Sequence, residues 1–146
     1  MKIALLDFDD VLFNTAAFSL ESRSVFINSG VSEKEYDEFH QQMREDLKKQ
    51  NKVYHREDHI ALFARKFPEA DHVSLRKNLS ALNKNMSRFV YADTHDFLKM
   101  LLQNGWRRVI LTFGNDDWQR QKIGFSGVVE LVDDVVVSAD PSKVEA

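Results

Sequence analysis

The chain has 146 residues and a mass of 17.0 kDa, a length that favours one domain. Its apolar fraction of 43% and charged fraction of 29% exclude a disordered or collagen-like protein. A net charge of −3 provides no overall basic field, so we expect no nucleic-acid partner. Cysteine is absent, which excludes disulfides, cysteine zinc sites and thiol nucleophiles. The apolar run 3–6 is too short for a signal peptide or a membrane span, so we expect a cytoplasmic protein without a membrane partner.

The first predicted element is a strand over residues 2–6. This continuous apolar run is typical of a strand that is buried on both faces of a parallel sheet. Residues 7–15, DFDDVLFNT, follow it as a loop with several polar positions.

Four amphipathic helices are predicted between about residues 15 and 90. The first ends at Gly30, a natural helix stop, and Ser32 with Glu35 forms a capping-box pattern that opens the second. Pro68 ends the third. Helical spacing places these apolar residues on the stripes of the second, third and fourth helices: Tyr36, Phe39, Met43 and Leu47; Ile60, Phe63 and Phe67; Leu75, Leu79, Leu82, Met86 and Phe89. Such helices bury their stripes against each other or a neighbouring surface, which predicts a small helical bundle.

The pattern after residue 91 alternates between helices and strands. The predicted elements are a helix capped by Asp93 or Thr94, a strand over 109–111 ending at Thr112, a helix over 116–123, a strand within 128–137 and a helix start at Asp140-Pro141. The order of strand, helical insert, helix, strand, helix and strand predicts a three-layer α/β fold with parallel strands.

Two carboxylates follow the first strand directly. Asp7 and Asp9 are two residues apart, so in an extended chain their side chains point the same way, at the sheet edge where α/β proteins bind ligands. Keeping both ionised there favours a bound cation, for which Mg²⁺ is the natural choice, or a shared proton. The alternative is that the pair only caps a turn.

The segment MKIALLDFDDVLFNT resembles the first motif of the haloacid dehalogenase-like (HAD) superfamily: an apolar strand, then Asp-x-Asp, then usually Gly-Thr or Gly-Val, then Leu. The resemblance implies a Rossmann-like core in which Asp7 is the nucleophile, Asp9 the general acid/base, and both belong to a Mg²⁺ site. Asp10 stands where the family usually has glycine, and Asp tolerates unusual backbone angles better than most residues.

Further motifs of the family have counterparts here. The resemblance implies that Thr112, with Phe113 and Gly114, binds the substrate phosphoryl group, and that Lys143 balances the carboxylate charge; Lys122 is the lesser candidate for that role. The family's fourth motif, which adds acidic metal ligands, has no counterpart, since Asp116-Asp117 and Asp133-Asp134 occupy the wrong positions. We therefore expect an N-terminal fragment of a longer protein, with a natural short variant as the alternative.

The resemblance also implies a division into domains. Residues 1–15 and 91–146 correspond to the truncated core, and residues 16–90 to an all-helical cap that closes over the site and shapes substrate choice. Polar residues of this region that are candidates to face the substrate are Asn14, Arg23, His55 and Arg56.

The function that the resemblance implies is Mg²⁺-dependent hydrolysis of a small phosphorylated metabolite through an aspartyl-phosphate. A non-catalytic HAD-like binding module, or an inactive fragment, is the main alternative; a haloacid dehalogenase and a phosphomutase are lesser ones. Strand 2–6 is expected to have an uncovered edge, which predicts marginal stability or self-association.

Overall fold

A computed structural model describes residues 1–139, which form three β-strands and six α-helices. The strands are β1 (Lys2–Leu6), β2 (Trp106–Phe113) and β3 (Asp134–Ser138). The helices are α1 (Thr15–Asn28), α2 (Glu33–Lys49), α3 (Arg56–Lys66), α4 (His72–Lys84), α5 (Thr94–Gln103) and α6 (Asp116–Phe125), with short 3₁₀ helices at Met86–Phe89 and Val128–Leu131. The helix start at Asp140-Pro141 lies outside the described residues. The α/β class with parallel strands is confirmed.

The described strands form one sheet in the order β1-β2-β3, and both pairs are parallel. Leu5 of β1 is paired with Val109 of β2, and Leu111 of β2 is paired with Val136 of β3. Right-handed crossovers that advance in one direction place their helices on one face, so α5 and α6 share a face of this sheet. Consistent with this, the 3₁₀ helix Val128–Leu131 contacts both of them.

Strand β1 is less buried than the sequence predicts. Ile3 and Leu5 alternate onto one face, where they are 51% and 63% exposed. The prediction of burial on both faces is wrong for the described chain, because β1 is the edge strand there and both crossover helices lie on one face of the sheet. The expected uncovered edge of β1 is present among the described strands.

The predicted strand within 128–137 is shorter than expected. Strand β3 begins only at Asp134, and Val128 and Val129 belong to a 3₁₀ helix. Gly127 precedes that helix with a φ of 80°, and the Val128 side chain is completely buried. Core packing of Val128 therefore outweighs the strand preference of its β-branched side chain.

The chain divides into two compact units. One comprises Met1–Phe18 with the chain from Asn83 onward, and the other is Ser19–Leu82. The first limit lies three residues after the boundary expected at 15/16, and the second lies eight residues before the one expected at 90/91. The first unit contains the sheet, α5 and α6, and its core includes the stacked rings of Phe8 and Phe13, whose centroids are 5.0 Å apart. None of the described helices is both long and apolar enough to cross a membrane.

The second unit has its own apolar core. The predicted capping box is present at the start of α2: the Ser32 hydroxyl accepts from the Glu35 N–H at 3.1 Å, and the Glu35 carboxylate accepts from the Ser32 N–H at 3.0 Å. The core combines residues of α1 to α4 and of the turn before α4: Phe26, Tyr36, Ile60, Phe63, Ala70, Leu75 and Leu79.

Candidate active site

The chain alternates its side chains as it leaves β1. Phe8 is fully buried in the core, while Asp7 and Asp9, on either side of it, point away from that core. The Phe8 N–H donates to Asp7 Oδ1 at 2.7 Å. An apolar residue between two carboxylates thus anchors both of them at the carboxyl end of β1.

The loop after Asp9 is a tight turn that requires a left-handed residue. Asp10 has a φ of 62°, its N–H donates to the Phe13 carbonyl at 2.8 Å, and the Phe13 N–H donates to the Phe8 carbonyl at 3.1 Å. Asp is among the residues that occupy this region at moderate cost. Asp10 therefore adopts a backbone conformation that glycine would adopt freely.

The carboxylate of Asp9 is held from several sides. Its Oδ1 accepts from Lys122 Nζ and from the Thr15 hydroxyl, both at 2.7 Å, and its Oδ2 accepts from Gln119 Nε2 at 2.9 Å. Burial alone raises the pKa of Asp9, but the charge of Lys122 and these hydrogen bonds outweigh it, so the pKa lies below its ordinary value. Asp9 is therefore ionised at neutral pH.

Asp7 has the opposite electrostatic balance. Partial burial raises its pKa, the hydrogen bond from the Phe8 N–H opposes that rise, and the negative charges of Asp9 and Asp10 add to it. The charge of Lys122 also acts on Asp7, in the lowering direction. The two carboxylates and Lys122 thus share one electrostatic neighbourhood, as the spacing of Asp7 and Asp9 predicts.

Thr112 lies at the carboxyl end of β2, beside β1, and is 1% exposed. Its Oγ1 is 2.9 Å from Gln119 Nε2, which also lies 3.0 Å from the Phe113 carbonyl oxygen. The Gly114 N–H donates to the Ser138 carbonyl at 2.8 Å. Of the residues expected to bind a phosphoryl group, Thr112 is thus linked to Asp9 through the amide of Gln119. The Gly114 N–H instead joins the end of β2 to the end of β3.

The lysine beside the carboxylates is Lys122. Its side chain is 7% exposed, and its Nζ lies 5.8 Å from the centroid of the Phe8 ring and 6.0 Å from that of the Trp118 ring. Lys143, the stronger candidate from motif order, lies outside the described residues. Gln119 was not expected from the sequence; its spacing of three residues from Lys122 on one helix is the only signal that could have found it.

The described residues do not form a complete site for the expected Mg²⁺. Both oxygens of Asp9 are already taken, and an ammonium group 2.7 Å from Oδ1 repels a second cation at that oxygen. Over residues 1–139 no group of three or more His, Cys, Asp or Glu side chains is arranged to hold a metal. Asp7 Oδ2 has no donor within that part of the chain, which leaves one carboxylate oxygen as a ligand.

The polar residues expected to face a substrate have structural partners. Asn14 Oδ1 accepts from the Ala17 N–H at the start of α1, and His55 Nδ1 accepts from the Glu57 N–H at the start of α3. The guanidinium of Arg23 binds Asp37 through two hydrogen bonds of 2.8 and 2.9 Å, and Arg56 Nη2 donates to the Ser22 hydroxyl at 2.9 Å. Asn14 and His55 thus cap helices, Arg23 forms an ion pair, and Arg56 forms a buried hydrogen bond.

Comparisons of the sequence with protein-family models and with curated proteins find no match. Solved structures do match. A haloacid dehalogenase-like hydrolase from Burkholderia xenovorans LB400 aligns with 92% of the chain at a TM-score of 0.69 and 18% identity. One from Xanthomonas campestris aligns with 99% at a TM-score of 0.62 and 15% identity. The HAD-hydrolase YfnB from Bacillus subtilis, in a structure bound to magnesium, aligns with 97% at a TM-score of 0.59 and 18% identity.

The chain has the haloacid dehalogenase-like fold. It spans 61% of the Burkholderia chain and 65% of each of the other two. The HAD-like fold agrees with the resemblance in the first motif, because both place Asp7 and Asp9 at the end of the first strand. At identities of 15–18% the likeness shows the fold. The reaction that this chain catalyses has to be argued from the residues of its own site.

Proposed function

We propose that this chain is a phosphohydrolase of the HAD type that acts on a small phosphorylated metabolite, with Asp7 as the nucleophile. One observation carries the proposal: Gln119 Nε2 joins Asp9, at the end of β1, to Thr112, at the end of β2, which are two of the residues that the proposal assigns to phosphoryl transfer. Asp7 lies two residues from Asp9 and has a carboxylate oxygen without a donor among the described residues.

The first step is attack of an Asp7 carboxylate oxygen on phosphorus. A P–O bond to Asp7 forms, the P–O bond to the alcohol breaks, and Asp9 gives a proton to the departing alkoxide. The Thr112 hydroxyl donates to a phosphoryl oxygen as charge develops there. Because Asp9 is ionised in the free chain, this step requires that it take up one proton from solvent as substrate binds.

The second step releases phosphate. Asp9, now ionised, accepts a proton from water, whose oxygen bonds to phosphorus as the P–O bond to Asp7 breaks. Lys122, Thr15 and Gln119 stabilise the ionised form of Asp9, which is the form that this step requires. Asp7 leaves as a carboxylate, Asp9 releases the proton to solvent, and the site returns to its starting state.

The proposal includes Mg²⁺ as an ion on which the rate of hydrolysis depends, and this dependence is to be measured. Mg²⁺ offsets charge on a phosphoryl group when it is bound. Asp7 is the carboxylate that the described residues offer as a ligand, through its Oδ2. Every step of the proposed reaction uses the chain's own side chains.

Two lysines are candidates to balance the phosphoryl charge. Lys122 is ion-paired with Asp9 in the described chain, and we assign Lys143 to the phosphoryl oxygens, as motif order indicates. Lys143→Met should therefore raise KM more than Lys122→Met does. Unit Ser19–Leu82 is proposed as the cap that selects the substrate.

A non-catalytic binding module is the second candidate. The observation in its favour is that both Asp9 oxygens are occupied and residues 1–139 lack a three-ligand metal cluster. Such a module would bind phosphate or a phosphorylated ligand without turning it over.

The deciding experiment is hydrolysis of p-nitrophenyl phosphate by the full chain, with and without Mg²⁺. Asp7→Asn removes the nucleophile, and Asp10→Asn is its matched control, because it removes a carboxylate three residues along while keeping a side chain suited to positive φ. Turnover that requires Mg²⁺, is abolished by Asp7→Asn and survives Asp10→Asn supports the proposal.

Two other outcomes contradict it. Phosphate binding by a folded chain without any turnover favours the binding module. Release of chloride from a 2-chlorocarboxylic acid, again abolished by Asp7→Asn, favours dehalogenation.

A further inference from the structure

The side-chain amide of Gln119 is enclosed by acceptors. Gln119 is 3% exposed, and its Nε2 lies 2.9 Å from Asp9 Oδ2, 2.9 Å from Thr112 Oγ1 and 3.0 Å from the Phe113 carbonyl oxygen. A carboxylate and a carbonyl can only accept, so the nitrogen of the amide, and not its oxygen, must face them. The surroundings therefore settle the orientation of the amide.

This orientation determines what the Thr112 hydroxyl can do. The two N–H protons of the amide are shared among three acceptors; because an amide nitrogen only donates, Thr112 Oγ1 is an acceptor toward Gln119 and its own proton points elsewhere. Within residues 1–139 that proton has no acceptor. The hydroxyl is thus prepared as a donor, which an anionic phosphoryl oxygen requires.

The turn after β2 leaves space for the Gln119 side chain. Gly114 has a φ of 147°, and a Cβ placed on it would lie 2.9 Å from Gln119 Cγ and 3.1 Å from Cδ. Any larger residue at 114 would therefore displace the amide. The absence of a side chain at Gly114 is a second feature, independent of the hydrogen bonds, that leaves room for Gln119 in this position.

The geometry points to Gln119 as a positioning residue that orients the Thr112 hydroxyl toward a bound phosphoryl group. Its amide also fixes the position of this hydroxyl relative to the Asp9 carboxylate. This inference rests on the proposed function. Gln119 acts through Thr112, since its amide nitrogen is already surrounded by three acceptors of the chain. Its contribution is to restrict a rotatable hydroxyl to the donating orientation before the ligand arrives.

The test measures binding of inorganic phosphate by titration calorimetry in a Mg²⁺ buffer. Four forms of the full chain are compared: unmodified, Gln119→Leu, Thr112→Val and the double variant. Gln119→Leu should weaken phosphate binding about tenfold, in line with one oriented hydrogen bond to an anion. In the double variant, affinity should equal that of Thr112→Val alone, because no hydroxyl remains to orient.

Gln121→Leu is the matched control. Gln121 is on the same helix, but its amide donates to Asp117 at 2.9 Å on the exposed side, so its replacement should leave affinity unchanged. Gln119→Met, an unbranched apolar replacement, repeats the test if Gln119→Leu fails to fold by circular dichroism.

Two outcomes overturn the inference while the proposed function stands. One is unchanged phosphate affinity in both Gln119 variants. The other is a double variant whose loss multiplies those of the single variants, which would assign Gln119 an effect independent of the hydroxyl. An unmodified chain that neither binds phosphate nor hydrolyses the ester overturns the proposed function and this inference together.

Discussion

Lys122 Nζ lies 2.7 Å from Asp9 Oδ1, although the two residues are 113 positions apart in the sequence. The lysine side chain is 7% exposed and the aspartate side chain 28%. The two charges of this partly buried ion pair attract each other strongly. Each would be poorly solvated without the other, because the fold excludes much of the water around them.

Replacing one member of this pair should therefore destabilise the fold. Lys122→Met leaves Asp9 partly buried without its cation, and we expect a loss of roughly 2–3 kcal/mol in the free energy of unfolding, measured by urea denaturation. Asp9→Asn in the same chain should recover much of that loss. Arg120→Met, which removes an exposed pair with Asp116 on the same helix, should cost much less. Equal losses for the two methionine variants would contradict this account.

The turn at Asp10 predicts a dependence on side-chain shape. At a φ of 62° a β-branched residue clashes with its own backbone, so Asp10→Val should lower the free energy of unfolding by about 1–2 kcal/mol. Asp10→Gly, the residue usual in the HAD family, should be neutral or stabilising by less than about 1 kcal/mol, since relief of strain is offset by backbone entropy. Thermal denaturation of both variants measures the difference; a Val variant as stable as the Gly variant refutes it.

The buried imidazole of His59 makes the stability of unit Ser19–Leu82 dependent on pH. It is stacked on Phe26 with ring centroids 4.2 Å apart, and its nitrogens lie 2.7 Å from the Tyr54 hydroxyl and 3.2 Å from the Tyr36 hydroxyl. Burial lowers the pKa of His59 well below its ordinary value, and the positive charges of Arg56 and His40 lower it further.

An unfolded histidine binds a proton below about pH 6.5, whereas folded His59 does not. The unfolded state then holds more protons, so stability should fall as the pH drops below 6.5, by up to about 1.4 kcal/mol per pH unit from this group. Denaturation at a series of pH values measures the slope. His59→Gln should reduce that slope, and His95→Gln, at an exposed position, should not. An unchanged slope in His59→Gln would assign the pH dependence to other groups.

The open edge of β1 predicts self-association. The strand has a free edge in the described sheet, and Leu5 is 63% exposed. Leu5→Lys should shift the chain toward monomer in a concentration series followed by sedimentation velocity. Leu20→Lys is the control, because Leu20 is 64% exposed on a helix without a free edge. A chain that is monomeric at all concentrations before any substitution contradicts the prediction.

Much of the local structure can be predicted from the amino-acid sequence. The helix limits follow from the capping box at Ser32 and from the stop near Gly30, because these depend on residues within one turn of each other. Placement of Asp7 and Asp9 at a strand end follows from the apolar run before them. The 3₁₀ helix at Val128–Leu131 was missed, because core packing there outweighs the intrinsic preference of valine.

Which side chains meet around Asp9 depends on tertiary packing. Motif order favoured Lys143, yet within residues 1–139 the ammonium group beside Asp9 belongs to Lys122, and Gln119 joins Asp9 to Thr112. These contacts depend on how α6 packs against the sheet, which brings together residues more than a hundred positions apart. Local patterns predict which face of a helix carries polar groups, but the partner of each group is determined by packing, because hydrogen bonds act only over a few ångströms.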